Sequence, residues 1–371
     1  MMLDHRRIAL SIMILVLLSA TACVTSVKPR EVPTNAKPNP TATPAPVVFP
    51  ADELAHDSRL EWWYHSGHLV SESGREFGFH FVVFKADDDL GEPNIVGQLG
   101  LLDVETGEHF DLSRAEAGIR TPDTNSANTG MSLGIAGWDY GVSTTPGSQS
   151  FNSKTENVSL SLQFESTTPV MLHNEIGWLP TEAGATYYYS WPRQQAVGEL
   201  TLNGETLSVT GSAWFDHQWG DFFVLGKPSG WQWFAIQLGD GGSLMITEAR
   251  VIDGKIAETY GTYMSPDGEV KSLQGDEDGI DIKTTGEWTS PTTDATYPSG
   301  WAIKIESLAI DLVLRPVAEN QEVQGGLPAA STYWEGKVTA EGTQEGSPIS
   351  ADAYVELSGY VDPEPVEWVH R

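Results

Sequence analysis

The sequence predicts an all-β protein with two β domains in tandem, and three observations predict it. From Ala51 onward, short runs rich in Val, Ile, Thr, Tyr, Phe and Trp alternate in period two between clusters of Gly, Asp, Asn and Ser. "LTLNGETLSV" is a hairpin by its Asn203-Gly204 turn, since these residue types accept the positive φ that a two-residue turn between twisted strands requires. "WWYHSGHLVSESGREFGFHFVVF" and "WQWFAIQLGDGGSLMITEARVI" repeat one plan of aromatic strand, Gly-containing turn and second strand, with Trp63 over Trp233. About 320 residues of such pattern exceed one small barrel. Each domain is therefore expected to open on a tryptophan-rich hairpin.

The N-terminus comes first. His5, Arg6 and Arg7 precede an apolar run from Ile8 to Leu18 and the small residues of "SATAC". That is the order of a secretory signal, and the run is too short to span a bilayer comfortably. Residues 1–22 read as a lipoprotein signal peptide and Cys23 as its acylated cysteine; cleavage without lipid is the plainer alternative. Ala20 is less typical than Leu three positions before such a cysteine. Because Cys23 is the sole cysteine, no intramolecular disulfide and no cysteine-based metal site can form. Residues 23–50, rich in Pro, Thr and Ala, read as a disordered tether that reaches roughly 30 Å as a coil and about 80 Å in polyproline II. The expected address is extracytoplasmic, lipid-anchored to a bacterial membrane. A net charge of −30, from 51 acidic and 21 basic side chains, repels a phosphate backbone and excludes nucleic acid as a partner. It also keeps a secreted protein soluble.

The body divides into 51–225 and 226–371, with "GKPSG" (226–230) as the junction. "REFGFHFVVF", "NVSLSLQFES" and "GELTLNGETLSVTGSAWF" supply strands of the first domain. "WQWFAIQLGDGGSLMITEARVI", "WAIKIESLAIDLVLRP" and "SADAYVELSGYV" supply those of the second. No amphipathic helix longer than three turns follows the signal.

In "EWWYHSGHLV" (61–70), alternation sends Trp62, Tyr64, Ser66 and His68 to one face and Glu61, Trp63, His65 and Gly67 to the other. A tight hairpin is expected to set Phe77, Phe79 and Phe81 beside Trp62 and Tyr64 as an aromatic wall, with His65 and His80 near Glu61. One residue of slip would reverse this. The rings line either a cavity for a long apolar ligand or the packed core and interdomain joint; Tyr and Trp suit both, having apolar faces and polar tips. His65 and His68 diverge on a strand and cannot chelate one ion together. With no HExxH or comparable ligand pattern, neither metal nor cofactor is expected. "GMSLG" (130–134) matches a nucleophile motif, yet no helix pattern follows Ser132, so the match reads as chance.

"SAWFDHQWG" (212–220) holds the catalytic candidates, Asp216 and His217. Alternation puts Trp214, Asp216 and Gln218 on one face and Phe215, His217 and Trp219 on the other. A carboxyl among rings in a water-poor pocket has its charged form disfavoured, which suits a general acid that protonates a C=C bond. Trp214, Trp231 and Trp233 are the rings expected to shelter the resulting cation. The plainer alternative is that Asp216 bonds backbone at a barrel rim while His217 packs between domains.

"RLEWWYHSGHL", "GREFGFHFVVFK", "WFDHQWG", "GWQWFAIQLGDG", "YWEGKVTAEG" and "YVELSGY" in this order resemble the carotenoid 1,2-hydratase and AttH-like family, from about Asp52 to Tyr360. The resemblance implies two tandem lipocalin-like β-barrel domains. It also implies a hydratase (hydro-lyase) acting on an isoprenoid-like or lipid-like molecule. Gln218 departs from the Glu that secreted relatives carry. Two readings stand: a membrane-anchored hydratase, and a non-catalytic carrier of an apolar ligand that serves an envelope transporter. Ligand contacts are expected from Trp62, Tyr64, His65, Trp214, Trp231 and Trp233. An ester hydrolase is a third, weaker reading.

Overall fold

The computed structural model describes residues 44–87, 93–117, 125–181, 184–222, 230–250, 255–324 and 332–361. The signal, Cys23, most of the tether and the junction up to Ser229 lie outside them. Among the described residues no helix is long and apolar enough to cross a membrane.

The fold is two tandem β-barrels, as the alternation and repeat predict. The first sheet holds β1 (Leu60–Ser71), β2 (Glu76–Asp87), β3 (Pro93–Asp103), β4 (Glu108–Ala117), β5 (Met131–Ile135) and β6 (Trp138–Val142). It continues with β7 (Ser148–Lys154), β8 (Val158–Ser166), β9 (Met171–Leu172), β10 (Trp178–Thr181), β11 (Gly184–Leu202) and β12 (Glu205–Phe222). Their order is β4-β3-β2-β1-β12-β11-β8-β7-β6-β5, all neighbours antiparallel, with the short β9 and β10 also on β11. The ends nearly close. The Ala136 amide donates to Glu116 at 2.9 Å, and Arg114 lies over the Trp138 ring at 5.5 Å. β11 and β12 join through the expected two-residue turn, with Asn203 and Gly204 at φ of 51° and 86° and Leu202 opposite Glu205.

The second sheet runs β13 (Gly230–Leu238), β14 (Ser243–Arg250), β15 (Ile256–Met264), β16 (Val270–Gln274) and β17 (Ile280–Thr284). A two-stranded ribbon, β18 (Glu287–Thr289) and β19 (Thr296–Pro298), stands apart. Then come β20 (Trp301–Ile305), β21 (Ile310–Pro316), β22 (Glu322–Val323), β23 (Tyr333–Gln344) and β24 (Ser347–Leu357). The order is β16-β15-β14-β13-β24-β23-β21-β20-β17, with β22 on β23.

Each barrel has its own core. Trp63, Phe79, Phe81, Phe164 and Phe215 fill the first; Phe234, Ile236, Trp301, Trp334 and Val355 fill the second. A third cluster, which includes Tyr64, Tyr188, Trp214, Trp233, Met245 and Tyr354, lies between the barrels, where an outer face of one sheet covers an outer face of the other. β11 supplies the contact by a bulge between Trp191 and Gln194. Pro192 cannot donate to a ladder, so the strand kinks there. The kink turns Arg193 toward the second barrel, where its guanidinium donates to the Leu238 and Gly242 carbonyls and, at 3.1 Å, to Ser243 Oγ.

Three expectations change. The repeated hairpins exist, but Trp63 faces its barrel interior while Trp233 faces the joint, so by facing Trp63 matches Phe234. The β1–β2 register pairs odd with odd: His65 opposes Phe81 and Gly67 opposes Phe79. The phenylalanines therefore share the interior with Trp63 and His65, and His80 lies on the joint face with Ser66. Finally, the last residues read as tether are packed: Phe49 meets Tyr189 edge-on at 5.0 Å, and the Tyr187 hydroxyl donates to the Ala45 carbonyl at 3.1 Å.

Candidate active site

On β12 the alternation is as expected: Trp214, Asp216 and Gln218 face the joint, and Phe215, His217 and Trp219 face the first barrel's interior. Antiparallel pairing places Asp216 between Tyr64 on β1 and Ser190 on β11. Its carboxyl is 3% exposed and takes three donors: the Tyr188 hydroxyl, Ser190 Oγ, and Trp214 Nε1 at 2.6 Å. Burial pushes Asp216 up to about 7, against the opposing pull of these bonds. The second barrel reaches this network twice. Trp233 Nε1 donates to the Tyr188 hydroxyl at 3.0 Å, and His173 bridges Ser190 Oγ and Thr262 Oγ1, each at 2.8 Å. Burial pulls His173 down to about 3, so it is neutral. Since Ser190 donates to Asp216, His173 carries its proton on Nε2 and accepts from Thr262.

Two more carboxyls face the joint from the second barrel. Glu335 on β23 and Glu356 on β24 are cross-strand partners. Burial, then the Glu356 charge, raises Glu335 well above the carboxylate range, although Tyr64 and Tyr333 donate to it. Burial likewise raises the half-buried Glu356 to about 7, Trp231 opposing and Asp216 assisting. His80 Nε2 lies 3.6 Å from Glu335 Oε2. Burial holds both groups neutral, so the contact is not an ion pair.

Of the expected site residues, Trp62, Tyr64, Trp214, Asp216, Trp231 and Trp233 gather at this joint. His65 does not: it is fully buried in the first barrel, stacked on Phe81 and Phe164. Neither does His217, which points away from Asp216. Ser132 is an exposed residue of β5 opposite Gly141, with no strand-to-helix turn. The rings pack on one another: the space among Ser66, His68, Trp214, Gln237 and Tyr354 is only about 10 Å³. It shares Gln237 and Asp352 with a surface crevice of about 450 Å³, whose wall also includes Arg193, Ser212 and Asp240. The half-buried Trp62, stacked on Phe84 at 5.8 Å, and the half-buried Trp231 pack against the same cluster.

Glu335 and Glu356 were legible only as members of "YWEGK" and "YVELSGY"; nothing local marks them as neighbours of Asp216. On the opposite face of β1, Glu61 meets neither His65 nor His80. Its Oε1 lies 2.7 Å from His56 Nδ1 and 3.0 Å from His217 Nε2. Burial alone would raise Glu61, but these bonds bring it down to about 2.

The sequence profile of the AttH-like family matches residues 40–360. The chain belongs to the AttH-like family. An AttH protein from Nitrosomonas europaea is 27% identical and has a TM-score of 0.76, over 87% of this chain and 99% of that one. The crystal structure of kievitone hydratase from Nectria haematococca shares the fold at a TM-score of 0.69 and 20% identity, covering 85% of this chain and 94% of that one. In sequence, kievitone hydratase of Fusarium solani subsp. phaseoli is 23% identical over 214 residues, 54% of this chain and 57% of that protein. Dehydratase asqC of Emericella nidulans is 22% identical over 303 residues, 80% of this chain and 84% of that protein.

Proposed function

We propose that this AttH-like protein is a hydro-lyase that adds water to, or removes it from, a carbon–carbon bond at the joint between its barrels. One observation carries the reading: a carboxyl with its pKa near 7 lies buried beneath tryptophan rings, oriented by three donors. Such a group holds a proton at neutral pH and can deliver it. Protonation of an alkene carbon by Asp216 leaves a cation, which the faces of Trp214 and Trp233 stabilise. Water then adds to the cation, and its proton passes to Glu356, the second carboxyl near 7. Glu335, higher still, stays neutral and holds Tyr64. The named activities of kievitone hydratase and dehydratase asqC support the reaction type.

The substrate class we favour is a long apolar, isoprenoid-like or lipid-like molecule, for which the partly exposed Trp62, Phe84 and Trp231 offer aromatic surface. By its sequence the enzyme works outside the cytoplasm, anchored through a lipid on Cys23. Those same aromatic faces also suit a carrier without chemistry, handing its ligand to an envelope transporter.

Incubation of the full chain with unsaturated isoprenoids and lipids in oxygen-18 water separates the readings. A hydro-lyase yields product one labelled water heavier, and Asp216→Asn lowers that turnover by about 10²–10⁴-fold. The variant keeps its fold because Asn Oδ1 still accepts from Ser190 Oγ and Trp214 Nε1, while its amide, in place of Oδ2, donates to the Tyr188 hydroxyl oxygen. Binding with no labelled product from any substrate, and no loss of water from the corresponding alcohols, would sink the enzyme and leave the carrier.

A further inference from the structure

The cluster around Glu61 lies on the side of β1 and β12 away from the joint and takes no part in the chemistry above. Glu61 on β1, His217 on β12 and His56 in the segment before β1 each offer a ligand atom, all within 4.8 Å of one another. The second contact of each histidine is the informative one. His56 Nε2 lies 3.3 Å from the Asp52 carboxylate, and His217 Nδ1 lies 3.1 Å from the Asp52 backbone carbonyl. The Tyr189 hydroxyl, 3.2 Å from His217 Nδ1, can accept there as well. An outer ring nitrogen facing an acceptor carries a proton, so an ion that displaces the inner proton from each bond to Glu61 Oε1 meets an inner lone pair already aimed at it. Histidines that bind metal are held in this way: the outer N–H is given to a carboxylate or carbonyl, and the inner nitrogen is kept free for the ion.

We propose that His56 Nδ1, His217 Nε2 and Glu61 Oε1 bind a divalent first-row transition metal, zinc above all. Two imidazoles and one carboxylate are a borderline donor set that suits zinc better than calcium or magnesium. Bonds of about 2.0–2.1 Å in a tetrahedron set ligand atoms roughly 3.3 Å apart. The present 2.7 and 3.0 Å thus need to open by about 0.6 and 0.3 Å. Glu61 binds through one oxygen, because Oε2 is already held by Lys85 Nζ at 3.3 Å and the His56 amide at 3.0 Å. Lys85 is the competing cation, but it approaches from Oε2 and is tied to the His56 and Ser58 carbonyls as well. Stacking of His56 on Trp219, centroids 4.0 Å apart and planes parallel within 1°, holds the ring in place. His56 is 19% exposed, so the site lies close to solvent, from which an ion can enter. The ion would pin the segment before β1 to two strands of the first barrel, a structural role separate from the joint.

The test uses the untagged full chain, equilibrated with Zn2+ alone, desalted and measured for bound metal by mass spectrometry, with Co2+ as a second probe. We expect one zinc per chain, a tetrahedral cobalt d–d spectrum that zinc abolishes, and a melting temperature raised by zinc. Asp52→Ala, which removes the outer partner of His56 along with the acceptor of the Val48 amide, lowers affinity by about 10-fold or more. His56→Ala and Glu61→Gln abolish stoichiometric binding, while His109→Ala, on β4, leaves it intact. Failure of the wild-type chain to retain zinc or to give the cobalt spectrum overturns the site, whether or not any variant folds. Stoichiometric zinc that His56→Ala and Glu61→Gln both retain overturns it too, and makes Glu61 a plain hydrogen-bond hub.

Discussion

Asp216 stands between two opposing influences, and its pH behaviour follows from which wins. Burial raises its pKa from 3.8 to about 7, while Ser190, Tyr188 and Trp214 pull the other way. Between those values the folded chain keeps a proton that the unfolded chain has released. The stability contributed by this group is therefore complete below about pH 4 and is lost as pH rises to about 7, on the order of 4 kcal/mol in all. Asp216→Asn lacks this dependence. Urea unfolding across that range should show the wild type losing stability relative to the variant; parallel curves would show that Asp216 is ionised throughout. Turnover should peak near pH 7, falling above it as Asp216 loses its proton and below it as Glu356 gains one. The face and the acid character of Asp216 were legible in "SAWFDHQWG", because alternation and flanking rings are local properties. Of its donors only Trp214 was, since Tyr188 and Ser190 come from another strand, and Trp233, which donates to Tyr188, comes from the other barrel.

The β1–β2–β3 ladder shows what a strand pattern leaves open. The side-chain period of two marks two faces but not which neighbour shares them; that depends on whether the turn pairs odd residues with odd or with even. Val70 opposes Glu76 across the turn, which sends Phe77, Phe79 and Phe81 inward and His80 outward. The outward His80 then needs room, and Gly100, its partner on β3, supplies it. A Cβ at Gly100 would stand 2.2 Å from His80 Cε1. Gly100→Ala should therefore push the ring into Glu335 and Tyr333 and cost about 1–3 kcal/mol. Thermal unfolding measures the loss, and a neutral result would mean that His80 has free space elsewhere. By contrast, the Asn203-Gly204 turn behaves as its sequence requires, because two residues with positive φ specify their own register.

At the scale of the molecule, the two barrels share buried polar contacts. Arg193 caps three groups of the β13–β14 turn, Gln237 Nε2 donates to the Pro192 and Ala213 carbonyls, and Tyr64 meets Glu335. Arg193→Ala removes three donors at once and should weaken the union by about 2–4 kcal/mol. Calorimetry should then split one unfolding transition into two; a single transition at an unchanged temperature would show that apolar packing alone joins the barrels.

The sequence by itself determined the all-β class, the paired domains, the AttH-like membership and the side of β12 on which Asp216 stands. Each of these rests on short-range signals: the period of two, turn chemistry and ordered motifs. Only the tertiary structure decided that the aromatic face of β1 is covered by a second barrel, that Glu335 and Glu356 join Asp216 there, and that Glu61 meets His56 and His217 instead of His65 and His80. Those arrangements depend on register parity and on which outer faces bury each other. Both are settled by the summed burial of residues far apart in the chain, a quantity that no local window contains.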